Sequence, residues 1–148
     1  MKVFMGKVMG AVFIVTTCFI NTAVLAGGGD EASMEKGAKV YFLSPQDGDV
    51  VTSPVTVRFG LSGMGVAPAG VDRAKTGHHH LLIDLESLPD MTKSIPSDSN
   101  HRHFGGGQTE VVLDLTPGEH SLQLLLGDYA HRPHNPPVVS ERIKIQVK

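Results

Sequence analysis

The sequence predicts an all-β fold: an immunoglobulin-like antiparallel β-sandwich of about seven strands, preceded by a signal peptide. Three observations carry this. From residue 39 onward, short apolar runs alternate with clusters of Gly, Pro, Asp and Ser, the pattern of a chain that turns every eight to twelve residues. Several runs alternate apolar and polar residues with period two, the mark of a half-buried strand. Turn signals punctuate them, at Pro45-Gln46-Asp47-Gly48 and at Pro117-Gly118. Helical periodicity is nearly absent, which leaves a sandwich as the simplest way to bury these strands.

Taken in order, the chain opens with a basic start at Lys2 and Lys7, and residues 8–25 are mostly apolar. Val24-Leu25-Ala26 then presents small residues in the spacing of a signal-peptidase site. The rival is an uncleaved membrane anchor, since the apolar run is nearly long enough to span. The small-residue site and the Gly-Gly-Gly that follows it favour cleavage after Ala26, which makes 1–26 a signal peptide and the protein periplasmic or otherwise secreted. Val15-Thr16-Thr17 before Cys18 is a poor lipoprotein signal.

Cleavage leaves 122 of 148 residues, enough for one domain with a modest core. It removes Cys18, the sole cysteine, so the mature chain has neither a disulfide nor a thiolate ligand. It also leaves 11 of the 13 basic side chains against 15 acidic ones, a charge of −4 in place of −2. Such a chain is not a basic nucleic-acid binder, and no later segment is apolar enough to cross a membrane.

Residues 27–38 are small, polar and charged, and read as a linker; residues 39–148 form the domain. "VYFL" is its first strand. "VTVRFGL" places Val55, Val57, Phe59 and Leu61 on one face, and "HHHLLIDL" follows. "TEVVLDL" aligns Val111, Leu113 and Leu115, "HSLQLLLGD" aligns Leu122, Leu124 and Leu126, and "ERIKIQV" buries Ile143, Ile145 and Val147. The long irregular segments are 62–77 and 86–108, and loops of that length tend to be functional.

The histidines are the chemical signal. With the usual strand order, "HHHLLIDL" and "HSLQLLLGD" are antiparallel neighbours, so His78 starts where Asp128 ends. "HRHF" precedes "TEVVLDL" at that same end, and "YAHRPHNPP" follows Asp128. Seven of the eight histidines therefore converge: His78, His79, His80, His101, His103, His131 and His134. His120 falls at the opposite end. Residues two apart on a strand point the same way and lie about 6.5–7 Å apart, so the His-x-His pairs 78/80 and 101/103 can share an ion. Imidazole suits zinc and copper. Asp128 and Glu110 lie near that end as candidate oxygen ligands or outer partners.

Zinc takes about four ligands, so only a subset binds. Alternation with Leu81 and Ile83 sends His79 inward, as a core-capping residue, and His78 and His80 outward. Met64 is a weaker candidate for cuprous copper and reads more readily as loop packing. "FGGGQTE" lacks the Gly-Lys-Ser/Thr of a phosphate loop and reads as backbone freedom beside the site. The prolines of 131–137 stiffen the loop that carries His131 and His134. No nucleophile–base arrangement is legible.

"GHHHLLID", "HRHFGGGQTE", "LTPGEHSLQLLLGD" and "HRPHNPPVVSERIKI" together resemble a family of small exported bacterial proteins defined as a domain of unknown function, over residues 39–148. The resemblance implies an exported immunoglobulin-like domain and implies no activity. The residues point to copper or zinc handling from exposed, labile loops, with the metal ion and another exported metalloprotein as partners. Two rivals stand beside that reading. One is a zinc-dependent hydrolase in which three histidines leave a coordination position open and Glu110 or Asp128 is the base. The other is a metal-free module in which a histidine hydrogen-bond network fixes the loops or reports pH.

Overall fold

A computed structural model describes Lys2 and residues 37–148. Apart from Lys2, the expected signal peptide lies outside the described residues, as does nearly all of the expected linker. Nine strands form among them: β1 (Lys39–Ser44), β2 (Val50–Val51), β3 (Val55–Ser62), β4 (Gly65–Val66), β5 (Thr76–Ile83), β6 (His101–His103), β7 (Glu110–Leu113), β8 (Gly118–Gly127) and β9 (Ile143–Val147). The count exceeds the expected seven because the turn after Gly48 and both long irregular segments each hold a short strand.

The strands make two sheets. One has the order β1-β3-β7; the other runs β2-β9-β8-β5, with β4 and β6 along the remaining edge of β5. Reading β1, β3, β5, β7, β8 and β9 as A, B, C, E, F and G reproduces the A-B-E and G-F-C layers of an immunoglobulin-like sandwich. Pairing is antiparallel throughout, except that β2 against β9 and β4 against β5 are two-residue parallel ladders.

The expected apolar faces meet between the sheets. Val55, Val57, Phe59 and Leu113 come from one layer; Leu81, Ile83, Leu122, Leu124, Leu126, Ile143, Ile145 and Val147 come from the other, all within one buried cluster. Val111, Leu115 and Leu61 pack at its margin. Alternation drives this, because every second side chain of a strand points to the same face.

The central strand β5 departs from simple alternation. Every residue from Gly77 to Ile83 is buried, so neither face of this strand meets water. Its outer face is covered by segment 84–100, where Ile95 joins Leu82 of β5 and Leu125 of β8 in a second, small apolar cluster. The expectation of solvent-facing His78 and His80 is corrected here. Both point away from the main core, yet they are 0% and 1% exposed, because the long loop folds back over them.

At the other end of β8, Asp84 sits at φ +54° and receives the Ser121 N–H on Oδ1 at 2.8 Å. His120 Nδ1 lies 2.7 Å from Asp84 Oδ2, and its Nε2 lies 2.9 Å from the Thr116 carbonyl. Both partners are acceptors, so only the doubly protonated ring satisfies both contacts. Burial by itself lowers the pKa of His120, but the bonds to Asp84 and to the Thr116 carbonyl outweigh it and the net shift is upward. The stability this ring contributes is therefore complete below about pH 6.5, its unfolded value, and declines as pH rises through the higher folded value. Thermal unfolding of the wild type and His120→Gln between about pH 6 and 9 will show this: the wild-type advantage shrinks toward the alkaline end. A gap that stays constant across that range would refute the assignment.

Candidate metal centre

Three backbone facts bring the histidines together. His78 and His80 are two apart on β5, and so share its outer face. β6 pairs with β5 so that His103 lies directly opposite His80 and His101 opposite Leu82. The 128–132 turn after β8 then carries His131 over the same face. Four rings result, in mutual contact. Centroid separations are 4.8 Å for His78–His80, 5.0 Å for His78–His103, 5.0 Å for His78–His131, 5.1 Å for His80–His103, 6.2 Å for His80–His131 and 4.7 Å for His103–His131.

Packed aromatic rings adopt similar separations, so spacing alone does not distinguish a ligand set from a stack. The nitrogens do. Both ring nitrogens of His78 and of His80, and Nε2 of His103, are buried and make no hydrogen bond to the protein. An unsatisfied buried polar atom costs about 1–3 kcal/mol, so a fold that orphans several at one point needs something there to accept them. One nitrogen each from His78, His80 and His103 lie within 4.8 Å of one another. Nitrogens about 2.1 Å from a shared zinc would sit about 3.4 Å apart, so the rings reach an ion by swinging inward by about an ångström.

Burial sets their charge. It pushes His78 down to about 4, helped by the neighbouring charges of His103 and His131, and pushes His80 down to about 3, helped by His78, His103 and His131; the His78 backbone beside His80 opposes that shift but falls short of hydrogen-bond geometry. His103 is lowered by burial and then by His131. Nearby Asp128 partly opposes the shift of His78. At neutral pH these rings are uncharged and each carries a free lone pair, the form that binds metals.

The other expected residues fall elsewhere. His79 points inward, as alternation required, with its ring 4.8 Å from that of Phe59. Burial lowers its pKa to about 4, and the carbonyls of Gly60 and Gln108 beside it fall short of hydrogen-bond geometry. His101 is held by Asp98, Nδ1 to Oδ1 at 2.9 Å. His134 lines a separate cavity of about 190 Å³ with Met64, Arg73, Asp128 and Tyr129, and Met64 also packs against the main core. Glu110 belongs to β7 in the opposite sheet, ion-paired to Arg58. Asp128 Oδ1 accepts the N–H groups of Ala130 and Arg132, both at 2.8 Å.

Residues 57–148 match the family described as Domain of unknown function (DUF4399). The chain belongs to that family. The family match takes in every histidine of the chain, the four clustered rings among them. No curated protein matches this DUF4399 chain. Among solved structures it is similar to the fibronectin(III)-like modules of CbhA from Clostridium thermocellum, with 11% identity and a TM-score of 0.37. That likeness covers 75% of this chain and 45% of the other, so the chain spans less than half of its length.

Two glycines make the cluster sterically feasible. A Cβ at Gly127 would lie 2.7 Å from Cε1 of His80, and one at Gly105 would lie 2.3 Å from Cε1 of His103. The glycine-rich "FGGGQTE" thus serves the site by leaving room for a ring at Gly105, while conformational freedom is needed only at Gly107, with φ +83°. Gly127→Ala and Gly105→Ala are each expected to destabilise the protein by about 1–3 kcal/mol, the scale of overpacking. Chemical denaturation measures this, and a change below about 0.5 kcal/mol, the ordinary surface range, would show that the rings do not need that space.

Proposed function

We propose that this is an exported metal-binding protein that handles zinc or copper through His78, His80 and His103, with His131 packed against them as the fourth ring. The convergence of buried, unbonded ring nitrogens of His78, His80 and His103 on one point supports this most directly. Export is read from the basic start, apolar run and small-residue site of residues 1–26, and it would place the domain in the periplasm, with another exported metalloprotein as donor or acceptor.

The ring arrangement favours zinc. In a square-planar set, the form Cu(II) prefers, four imidazole centroids would lie about 4.5 Å apart along the edges and about 6.4 Å across both diagonals. In a tetrahedral set all six separations would be about 5 Å. Here the longest pair, His80–His131, is 6.2 Å, but its complement, His78–His103, is 5.0 Å. Only one of two diagonals is long, so the set is closer to a tetrahedron. Cuprous copper also accepts that geometry but prefers sulfur ligands, and the cysteine of this chain lies at position 18, in the expected leader.

Handling fits better than hydrolysis. His131 packs against the other three rings, where a catalytic zinc would keep a position for water. Glu110 and Asp128, the expected bases, are engaged by Arg58 and by turn amides. A hydrogen-bond network is disfavoured because the nitrogens of His78 and His80 make no such bonds.

Isothermal titration of untagged mature protein is expected to show one zinc ion per chain bound more tightly than about 10 μM, or ~7 kcal/mol. His78→Ala together with His103→Ala should abolish it, whereas His101→Ala should leave it unchanged. Failure of both zinc and copper to reach that affinity rejects the proposal. Elemental analysis of protein taken directly from its native compartment identifies the ion.

A further inference from the structure

We infer that His131 is the exchangeable ligand of this site, the one the ion passes on entering and leaving, while His78, His80 and His103 form a fixed platform. The inference rests on the metal-binding reading above and adds to it a route for transfer.

The four rings differ in how the chain holds them: the donor nitrogens of His78, His80 and His103 already lie within 4.8 Å of one another, and His131 stands outside that set while packing against it. His78 and His80 belong to β5, which is bonded along one side to β8, with His78 opposite Gly127 and His80 opposite Leu125. His103 is bonded to the other side of β5, opposite His80. Moving His78 or His80 far means breaking the ladder between β5 and β8, and moving His103 means breaking the short edge ladder of β6 on β5. His131 belongs to no strand. It sits in the 128–132 turn at φ +64°, a left-handed conformation uncommon for a residue with a side chain and a recurrent marker of functional positions. It is partly exposed, as is His103, whereas His78 and His80 are buried.

Among the described residues, the turn is tied internally by four hydrogen bonds and to the rest of the protein by three. Asp128 Oδ1 accepts from Ala130 and Arg132, the Asp128 carbonyl accepts the His131 N–H at 3.0 Å, and the Asp128 N–H donates to the Arg132 carbonyl at 2.8 Å. All four bonds lie within the turn and hold its unusual backbone. Outward, the His131 carbonyl accepts the Ile95 N–H at 2.8 Å, the Tyr129 carbonyl accepts the Gly70 N–H at 2.9 Å, and Ser94 Oγ reaches the Ala130 carbonyl at 3.4 Å. Ile95 is the residue that closes the loop over the outer face of the sheet. The Ile95–His131 bond therefore clasps the covering loop to the turn, and its opening lifts one ligand and the cover together. The ion then keeps three nitrogens and has one position free. A donor atom of the acceptor, an imidazole or a thiolate, takes that position as the bond to His131 is lost, with no change in oxidation state. Asp128 acts here as a positioning residue: it shapes the turn that aims His131.

Cobalt(II), whose visible absorption reports tetrahedral nitrogen coordination, is loaded into the full mature chain and withdrawn by excess chelator. His131→Ala is expected to retain cobalt on the three remaining imidazoles, with a smaller loss of affinity than His103→Ala. The chelator should strip it at least about tenfold faster than wild type, since affinity changes among related complexes lie mostly in the off-rate. Asp128→Ala should speed stripping in the same direction with all four imidazoles still present. His103→Ala should lose cobalt binding. A stripping rate unchanged in His131→Ala overturns the inference, as does a loss of affinity as deep as that of His103→Ala. Wild type that binds no cobalt, zinc or copper instead removes the metal reading itself, a result distinct from either.

Discussion

The structure depends on keeping water off both faces of β5. A central strand of a sandwich ordinarily gives one face to the core and the other to solvent, and Leu81 and Ile83 discharge the first duty in the usual way. The second face carries His78, His80 and Leu82, and it is closed by segment 84–100 through Ile95 and by the turn that carries His131. That closure makes the histidines unusual. Exposed, they would be solvated rings titrating near 6.5; covered, they are neutral, lack protein partners and are packed against one another. Desolvation is the leading cause of every lowered imidazole pKa in the cluster, so one geometric fact governs both charge state and ligand competence.

The site is also placed where a sandwich is most rigid. Binding sites on this architecture commonly use the loops at its ends, but here three of four rings project from hydrogen-bonded strands, and the register of β6 against β5 puts His103 beside His80. Ligands on strands are held more closely than ligands on loops. The cost falls on neighbouring backbone positions. Gly127 and Gly105 have no side chain because the rings occupy the space a Cβ would need, and His131 accepts a left-handed backbone to complete the set. Packing of the rings has overridden local preference at these positions.

Much of this was legible in the residues, and one error is instructive. Alternation in "HHHLLIDL" predicts a half-exposed strand, and the structure buries it. Leu81-Leu82-Ile83 and Leu124-Leu125-Leu126 carried a different message: unbroken apolar runs on adjacent strands mean burial on both faces. Leu82 and Leu125 share the outer side with His80, so the same signal foretold that His80 would be covered. The placement of His101 was beyond such reasoning. It is two residues from His103 on the same strand, but Leu82 lies opposite it and Asp98 takes its ring.

Sequence alone determined the strands, their inward faces, the sandwich and the gathering of histidines toward one end, because these follow from period-two patterning, turn chemistry and the direction in which each strand must run. It also determined that any ion here would be held without thiolates. Only the tertiary structure decided which rings meet. His131 joins the cluster while His134 lines a separate cavity, and Glu110 and Asp128 are engaged elsewhere. Ring–ring contact depends on register, on a loop folding back and on a turn's handedness, and these are settled by long-range packing that no local pattern encodes.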